Sequence, residues 1–154
     1  MTQEIERKFI VDRLPPADVL GSGSRLRQGY LAEEDGVEVR IRLTERAATL
    51  TVKAGGGLER TEVEVGIDPA DADQLWPYTA GRRIDKHRYL VGLGAHTAEV
   101  DVYSGDLDGL SIVEVEFGSA REAEAFRPPA WFGRDLTGLA QWSNASLARH
   151  GRPD

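Results

Sequence analysis

Charged and aliphatic residues alternate with a period of two along most of this chain. Val37, Val39, Ile41 and Leu43 stand against Glu38, Arg40 and Arg42 without a fault, and Leu50-Thr51-Val52-Lys53 repeats the pattern in short form. Such spacing turns successive side chains to opposite faces of a strand. The same reading predicts strands over 4–11, 25–32, 60–65, 83–91, 97–103 and 111–117. Polar or glycine turns at 33–36, 55–57 and 105–109 separate neighbouring strands. Short connections imply an antiparallel meander.

Helix signals are fewer. Asp68 reads as an N-cap with Pro69 in the first turn, predicting a helix through Leu75 and Trp76 that stops near Pro77. Ser119 and Glu122 form a capping box that opens a helix through Phe126, ended by Pro128 and Pro129. The stretch 12–23, with Pro15, Pro16, Gly21 and Gly23, reads as loop with one short turn. The tail from Gly133 to His150 is expected to be irregular and then helical, with Trp142 and Leu147 packing down.

Composition narrows the classes. The chain has 154 residues and no cysteine, so thiol nucleophiles, disulfides and thiolate metal sites are excluded. The length suits one domain, residues 1–154, with its own core. No signal-peptide build and no membrane-length apolar run is present, which makes a cytoplasmic protein the expectation. A net charge of −7 argues against general affinity for nucleic acid or anionic membranes. It leaves room for a small anionic ligand met by a local cluster of cations.

The charged positions share faces by sign. Glu4, Glu6 and Lys8 fall on one side of the first strand. Arg40 and Arg42, Glu62 and Glu64, Lys86 and Arg88, Glu99 and Asp101, and Glu114 and Glu116 are like-charged pairs two residues apart. Any one strand of this kind is what a half-buried sheet shows, with charge facing water. Repeated like pairs are unfavourable on a solvated face unless something offsets them. Closing the sheet turns one face inward, and the residues alone leave open whether that face is aliphatic or charged.

Glu4-Ile-Glu6-Arg-Lys8 resembles the E-x-E-x-K signature of the CYTH family, the triphosphate tunnel metalloenzymes. Gln28-Gly-Tyr30-Leu, Val39-Arg40-Ile-Arg42, Leu50-Thr-Val-Lys53, Arg60-Thr-Glu62-Val-Glu64, Lys86-His-Arg88-Tyr, Glu99-Val-Asp101-Val and Val113-Glu114-Val-Glu116 follow in the family's order. Asp135-Leu-Thr137-Gly138 and Ser143-Asn144 are similar to its C-terminal signature. The resemblance implies an α+β, mainly β fold: a closed eight-stranded antiparallel barrel, or tunnel, with a charged interior and a few helices outside.

It also implies a chemistry. Lys8, Arg40, Arg42, Lys53, Lys86 and Arg88 would bind the phosphates of a small-molecule triphosphate. Glu4, Glu6, Glu114 and Glu116 would hold Mg²⁺ or Mn²⁺, which prefer hard oxygen ligands. Glu62, Glu64, Glu99 and Asp101 would hold a second metal or orient water. Tyr30 and Lys53 match a tyrosine and lysine that act together in family members cleaving inorganic triphosphate. The implied reaction is metal-dependent triphosphate hydrolysis. Class IV adenylate cyclase, thiamine triphosphatase and a non-catalytic polyphosphate-binding module are the alternatives.

The sequence departs from the family pattern at two points. His87 replaces a small polar residue, and Leu139-Ala-Gln-Trp142 replaces Asp-Pro-Arg-Tyr, which bears on contacts at the tunnel mouth. Other motifs carry little. The glycine run lacks the Lys-Ser/Thr of a phosphate loop. The three histidines show no ligand spacing, and Asp106 and Asp108 read as turn residues.

Overall fold

The structure is a computed structural model and describes residues 2–55 and 59–154. Eight strands form: β1 (Thr2–Ile10), β2 (Ser24–Glu34), β3 (Val37–Leu43), β4 (Ala48–Ala54), β5 (Glu59–Ile67), β6 (Arg83–Leu93), β7 (His96–Tyr103) and β8 (Ser111–Glu116). Among the described residues four helices accompany them, α1 (Ala17–Leu20) between β1 and β2, α2 (Pro69–Leu75) between β5 and β6, and α3 (Ala120–Ala125) and α4 (Asn144–His150) after β8. The strands close into an antiparallel barrel in the order β1-β5-β4-β3-β2-β6-β7-β8. Among the described residues no helix is long and apolar enough to cross a membrane.

Local chemistry explains most boundaries. Asp35 and Gly36 both take positive φ, 51° and 76°, the conformation of a tight hairpin turn, so β2 runs on to Glu34 and the turn is shorter than 33–36. Asp68 caps α2 by accepting a hydrogen bond from Ala70 N at 2.8 Å. The chain then tightens into a 3₁₀ turn, Trp76–Thr79, that carries Pro77 in its first turn instead of ending at it. Ser119 Oγ accepts from Glu122 N at 3.2 Å, but the Glu122 carboxylate accepts from Gly118 N, one residue before the cap. Of the predicted 55–57 turn, Gly56 and Gly57 lie outside the described residues.

The aliphatic face points outward and is covered in patches. On β1, β7 and β8 it carries Ile5, Phe9, Val100, Val113 and Val115, packed under Ala123 of α3 and under Phe132. On β3 and β4 it carries Ile41 and Ala48, packed under Ala72 of α2 with Trp76 beside them. The charged face therefore points into the bore. Gly29 on β2 stays small because an added Cβ would fall 2.5 Å from Thr79 Oγ1.

One end of the bore is closed by apolar groups. Ile10, Ile84, Tyr103 and Ile112 cluster there with Leu136, Trp142 and Leu147 of the tail, all buried. Each of the first four sits one step beyond a charged residue of the inner face, so the lining changes character at one level around much of the ring. The tail also completes β1. β5 pairs only with Thr2–Ile5. Farther along the same edge, Ile10 N donates to Arg134 O, Gly133 N to Ile10 O and Leu136 N to Lys8 O, at 2.7–2.9 Å.

Candidate functional site

Strand order sorts the inner face by sign. Consecutive strands β7, β8, β1 and β5 bring Asp101 and Glu99, Glu114 and Glu116, Glu4 and Glu6, and Glu62 and Glu64 to one half of the wall. The other half, β4, β3, β2 and β6, carries Lys53, Arg40 and Arg42, then Lys86 and Arg88. Four residues cross the pattern: Lys8 and Arg60 on the acidic half, and Glu38 with Glu33 opposite it on the basic half. A cavity of about 630 Å³ between the tail and the β2–β3 and β4–β5 ends reaches Glu6, Lys8, Glu38 and Arg60. Leu139, Ala140 and Gln141, where the sequence leaves the family pattern, line this mouth.

Most cations in the bore lean on carboxylates. Lys53 Nζ lies 3.1 Å from Glu4 Oε1 and 3.5 Å from Glu62 Oε2. Lys8 Nζ is 3.6 Å from Glu114 and donates to Trp142 O at 3.3 Å. Arg88 grips Asp101 through two bonds of 2.8 and 2.9 Å and reaches Glu99 at 3.0 Å. Lys86 Nζ sits 2.7 Å from Asp101 Oδ2, an ion pair that lacks hydrogen-bond geometry. Both members of that pair are fully enclosed.

Arg40 and Arg42 differ. Neither forms an ion pair among the described residues. Arg42 donates only to Gln28 Oε1, at 3.3 and 3.2 Å. Burial, with Arg40 and Arg88 nearby, pulls its guanidinium down to about 10. The buried Nε of Arg40 has no acceptor. Against its burial, Tyr30 and Glu38 nonetheless favour the charged form of Arg40. Two adjacent guanidinium groups, neither held in a close ion pair, are poised for an anion with several oxygens.

The acidic half holds the complementary group. The carboxylate of Glu6 has no ion pair or hydrogen bond among the described residues. Burial, then repulsion from Glu114 and Glu4, holds its pKa well above the ordinary carboxylate range. Burial and a hydrogen bond shared with Glu62 raise Glu4, and that same bond lowers Glu62. Burial alone would raise Glu114, but Lys8, Lys86 and Arg88 outweigh it and hold that group far down. Among the described residues no three carboxylates converge tightly enough, as they stand, to ligate an ion. The donor set nonetheless suits a hard divalent cation: oxygen ligands only, and at Glu6 a half-buried charge in need of one.

Each predicted residue can thus be placed. Glu4, Glu6, Glu62 and Glu114 gather on adjacent strands, while Glu64 and Glu116 lie on the exposed rim. Glu99 and Asp101 serve as counter-charges to Arg88 and Lys86. Tyr30 and Lys53 are not joined. Tyr30 is fully buried, burial pushes its phenol up to about 12, and its oxygen accepts from Gln28 Nε2 at 2.8 Å. It therefore supports Arg42 through Gln28. Gln28, Glu38 and Arg60 were not singled out as site residues, although their spacing places them on the charged face. Glu38 is buried and lies 3.6 Å from Arg60. His87 points outward and is exposed, as its place in the alternation requires.

The model of the CYTH domain matches residues 2–146. The chain is 43% identical over 147 residues to an inorganic triphosphatase of Nitrosomonas europaea, covering 94% of this chain and 96% of that one. It is 34% identical over 152 residues to an inorganic triphosphatase of Acetivibrio thermocellus, covering 97% and 96%. A crystal structure of an inorganic triphosphatase superposes with a TM-score of 0.70 at 40% identity, covering 97% of this chain and 96% of the other.

Proposed function

This chain belongs to the CYTH domain family, and from that premise we propose that it is a divalent-metal-dependent hydrolase of inorganic triphosphate. The observation that carries this reading is the pairing of two arginines held in no close ion pair, Arg40 and Arg42, with an opposing carboxylate wall in which Glu6 also lacks a close partner. A polyanion alone would satisfy only the first half and would be repelled by the second. A metal triphosphate satisfies both. The relatives named as inorganic triphosphatases support the same substrate.

Glu4, Glu6, Glu114 and Glu116 would hold Mg²⁺ or Mn²⁺, with Glu62 and Glu64 available to a second ion. Once bound, the ion supplies positive charge against phosphate oxygens. The chain's own residues do the positioning. Arg40 and Arg42 clamp non-bridging oxygens with planar forks, and Lys8 and Lys53 add charge where their carboxylate partners are drawn away. Arg88 and Lys86, locked on Asp101 and Glu99, fix the floor of the basic half. Glu62, beside Lys53, accepts a hydrogen bond from the attacking water. Water adds to a terminal phosphorus as the bond to the bridging oxygen breaks, giving orthophosphate and pyrophosphate. Phosphoryl transfer asks chiefly for such placement and charge.

Phosphate release from triphosphate, ATP and thiamine triphosphate, each with Mg²⁺, Mn²⁺ or chelator, tests this. Orthophosphate is expected from triphosphate with metal and is lost with chelator. Pyrophosphate from ATP without orthophosphate would point to a cyclase, and binding without turnover to a holding module; either result overturns the proposal.

A further inference from the structure

The β2–β6 pair carries positive charge on both of its faces. Lys86 and Arg88 point into the bore, while Arg25, Arg27 and Arg83 alternate to the outside. In a chain of net charge −7, this outer patch reverses the sign of the whole. Like charges at neighbouring ladder positions are unfavourable unless something offsets them. The carboxylate set among them, Asp85, lies opposite Arg27 in the register. It is taken instead by Arg25, through two bonds of 3.0 and 2.6 Å.

These outer side chains border a cleft of about 550 Å³, closed on its far side by α4 and by the β7–β8 connection. Ile84, Leu107 and Leu147 line its base and belong to the apolar cluster that closes the bore. That packing stands between the cleft and the tunnel. Arg149 enters from α4 and lines both the cleft and the mouth cavity. Four arginines thus meet two aspartates, Asp85 and Asp106, leaving a net charge of +2 around the cleft.

The guanidinium groups are positioned without being neutralised. Arg83 donates from Nε to Thr79 Oγ1 and from Nη2 to the Trp76 carbonyl, each at 2.9 Å. Both acceptors are uncharged. Its guanidinium carbon lies 4.7 Å from the centre of the Trp76 ring, and that of Arg27 lies 5.9 Å away. Among the described residues Arg83 forms no ion pair, and the side chains of Arg27 and Arg149 form neither an ion pair nor a hydrogen bond.

We propose that this cleft binds the diphosphate group of a small molecule on the outside of the barrel, at a site separate from the bore. Planar guanidinium forks match the paired oxygens of phosphate groups. A single phosphate occupies one or two such forks. A diphosphate has oxygens enough for Arg27, Arg83 and Arg149 together, and it supplies the negative charge that the outer face of β2 and β6 lacks. Trp76 adds an apolar surface beside the forks for whatever the diphosphate is attached to. Free pyrophosphate and a nucleoside diphosphate share this chemistry. The site stands whether or not the bore turns over triphosphate.

Nitrogen-15 NMR of the parent chain and of Arg42→Gln, both in chelator, provides the test, since Arg42→Gln disables the clamp of the bore. Pyrophosphate is expected to move the Trp76 indole N–H and the Arg83 Nε–H saturably in both proteins, while the Trp131 indole stays in place. Trp76→Phe identifies the indole signal. Arg27→Gln removes one charge-assisted contact and breaks no bond of the fold, so it is expected to weaken binding roughly tenfold. Arg27→Glu should weaken it further, and sulfate at matched ionic strength should bind at least roughly tenfold less tightly than pyrophosphate. ADP tells the sources apart. Tighter binding than pyrophosphate names a nucleoside diphosphate as the ligand, and equal or weaker binding names the inorganic ion; either supports the site. Absence of saturation with both ligands into the millimolar range overturns it. So does a response that survives Arg27→Glu, one that disappears in Arg42→Gln, or one that sulfate matches.

Discussion

At the scale of single residues, Glu6 makes the sharpest prediction. Its folded pKa lies above its unfolded value, so the stability linked to its protonated form is full at acid pH. That stability is lost as pH rises through the folded pKa. At neutral pH the half-buried charge therefore weighs against folding. In chelator, Glu6→Gln is expected to melt a few degrees above the parent at pH 7, since about 1 kcal/mol moves the melting point of a chain this size by roughly 2–4 °C. The gain should vanish near pH 4, while metal-dependent turnover is lost at every pH. A melting point that falls at pH 7 would show that the carboxylate is already satisfied in the metal-free chain. Glu6 and its companions were legible because period-two spacing fixes a side chain's face. Arg60 and Glu38 obey the same spacing and were equally legible as lining. The pairing of Arg88 with Asp101 was less so, since partner choice depends on which strands become neighbours.

At the scale of elements, strands were read within a residue or two, because alternation is a local property. The helices followed their caps, and those caps make a measurable contribution. Asp68→Ala removes the acceptor of Ala70 N and is expected to lower stability by about 1 kcal/mol. Thermal melting checks the loss. Turnover should stay unchanged, because α2 packs outside β3 and β4 and touches no charged group of the bore. The tail was the hardest element to read. Its irregular stretch 133–137 bonds to the edge of β1 that β5 leaves open, and α4 then brings Leu147 over Tyr103 and Ile112. A segment stabilised by another strand's unpaired backbone carries no periodic signal of its own.

At the scale of the whole molecule, the two halves of the wall set the response to acid. Burial opposes ionisation of Asp101 and Glu114, but the cations beside them win, so both folded pKa values lie below the unfolded ones. Their contribution is full above the ordinary carboxylate range, about pH 4 to 4.5, and is lost as pH falls through the folded values. Melting points measured from pH 6 to pH 2 are expected to drop most steeply below about pH 4. Triphosphate with Mg²⁺ should raise the melting point at pH 7 by the equivalent of about 2.7 kcal/mol at one hundred times its dissociation constant. An unchanged melting point would mean that the folded bore does not bind it.

The sequence by itself determined which residues share a face, where chain direction reverses, and which helix ends are capped. Each of these depends on neighbours within a few positions. Closure of the sheet, and the order in which strands meet, decided the rest. That order gathered four acidic strands on one side of the bore, left Arg40 and Arg42 without a close ion pair on the other, and sealed one end with Tyr103 and the tail. Such outcomes depend on contacts between residues up to a hundred or more positions apart, where face alone does not say which partner is met.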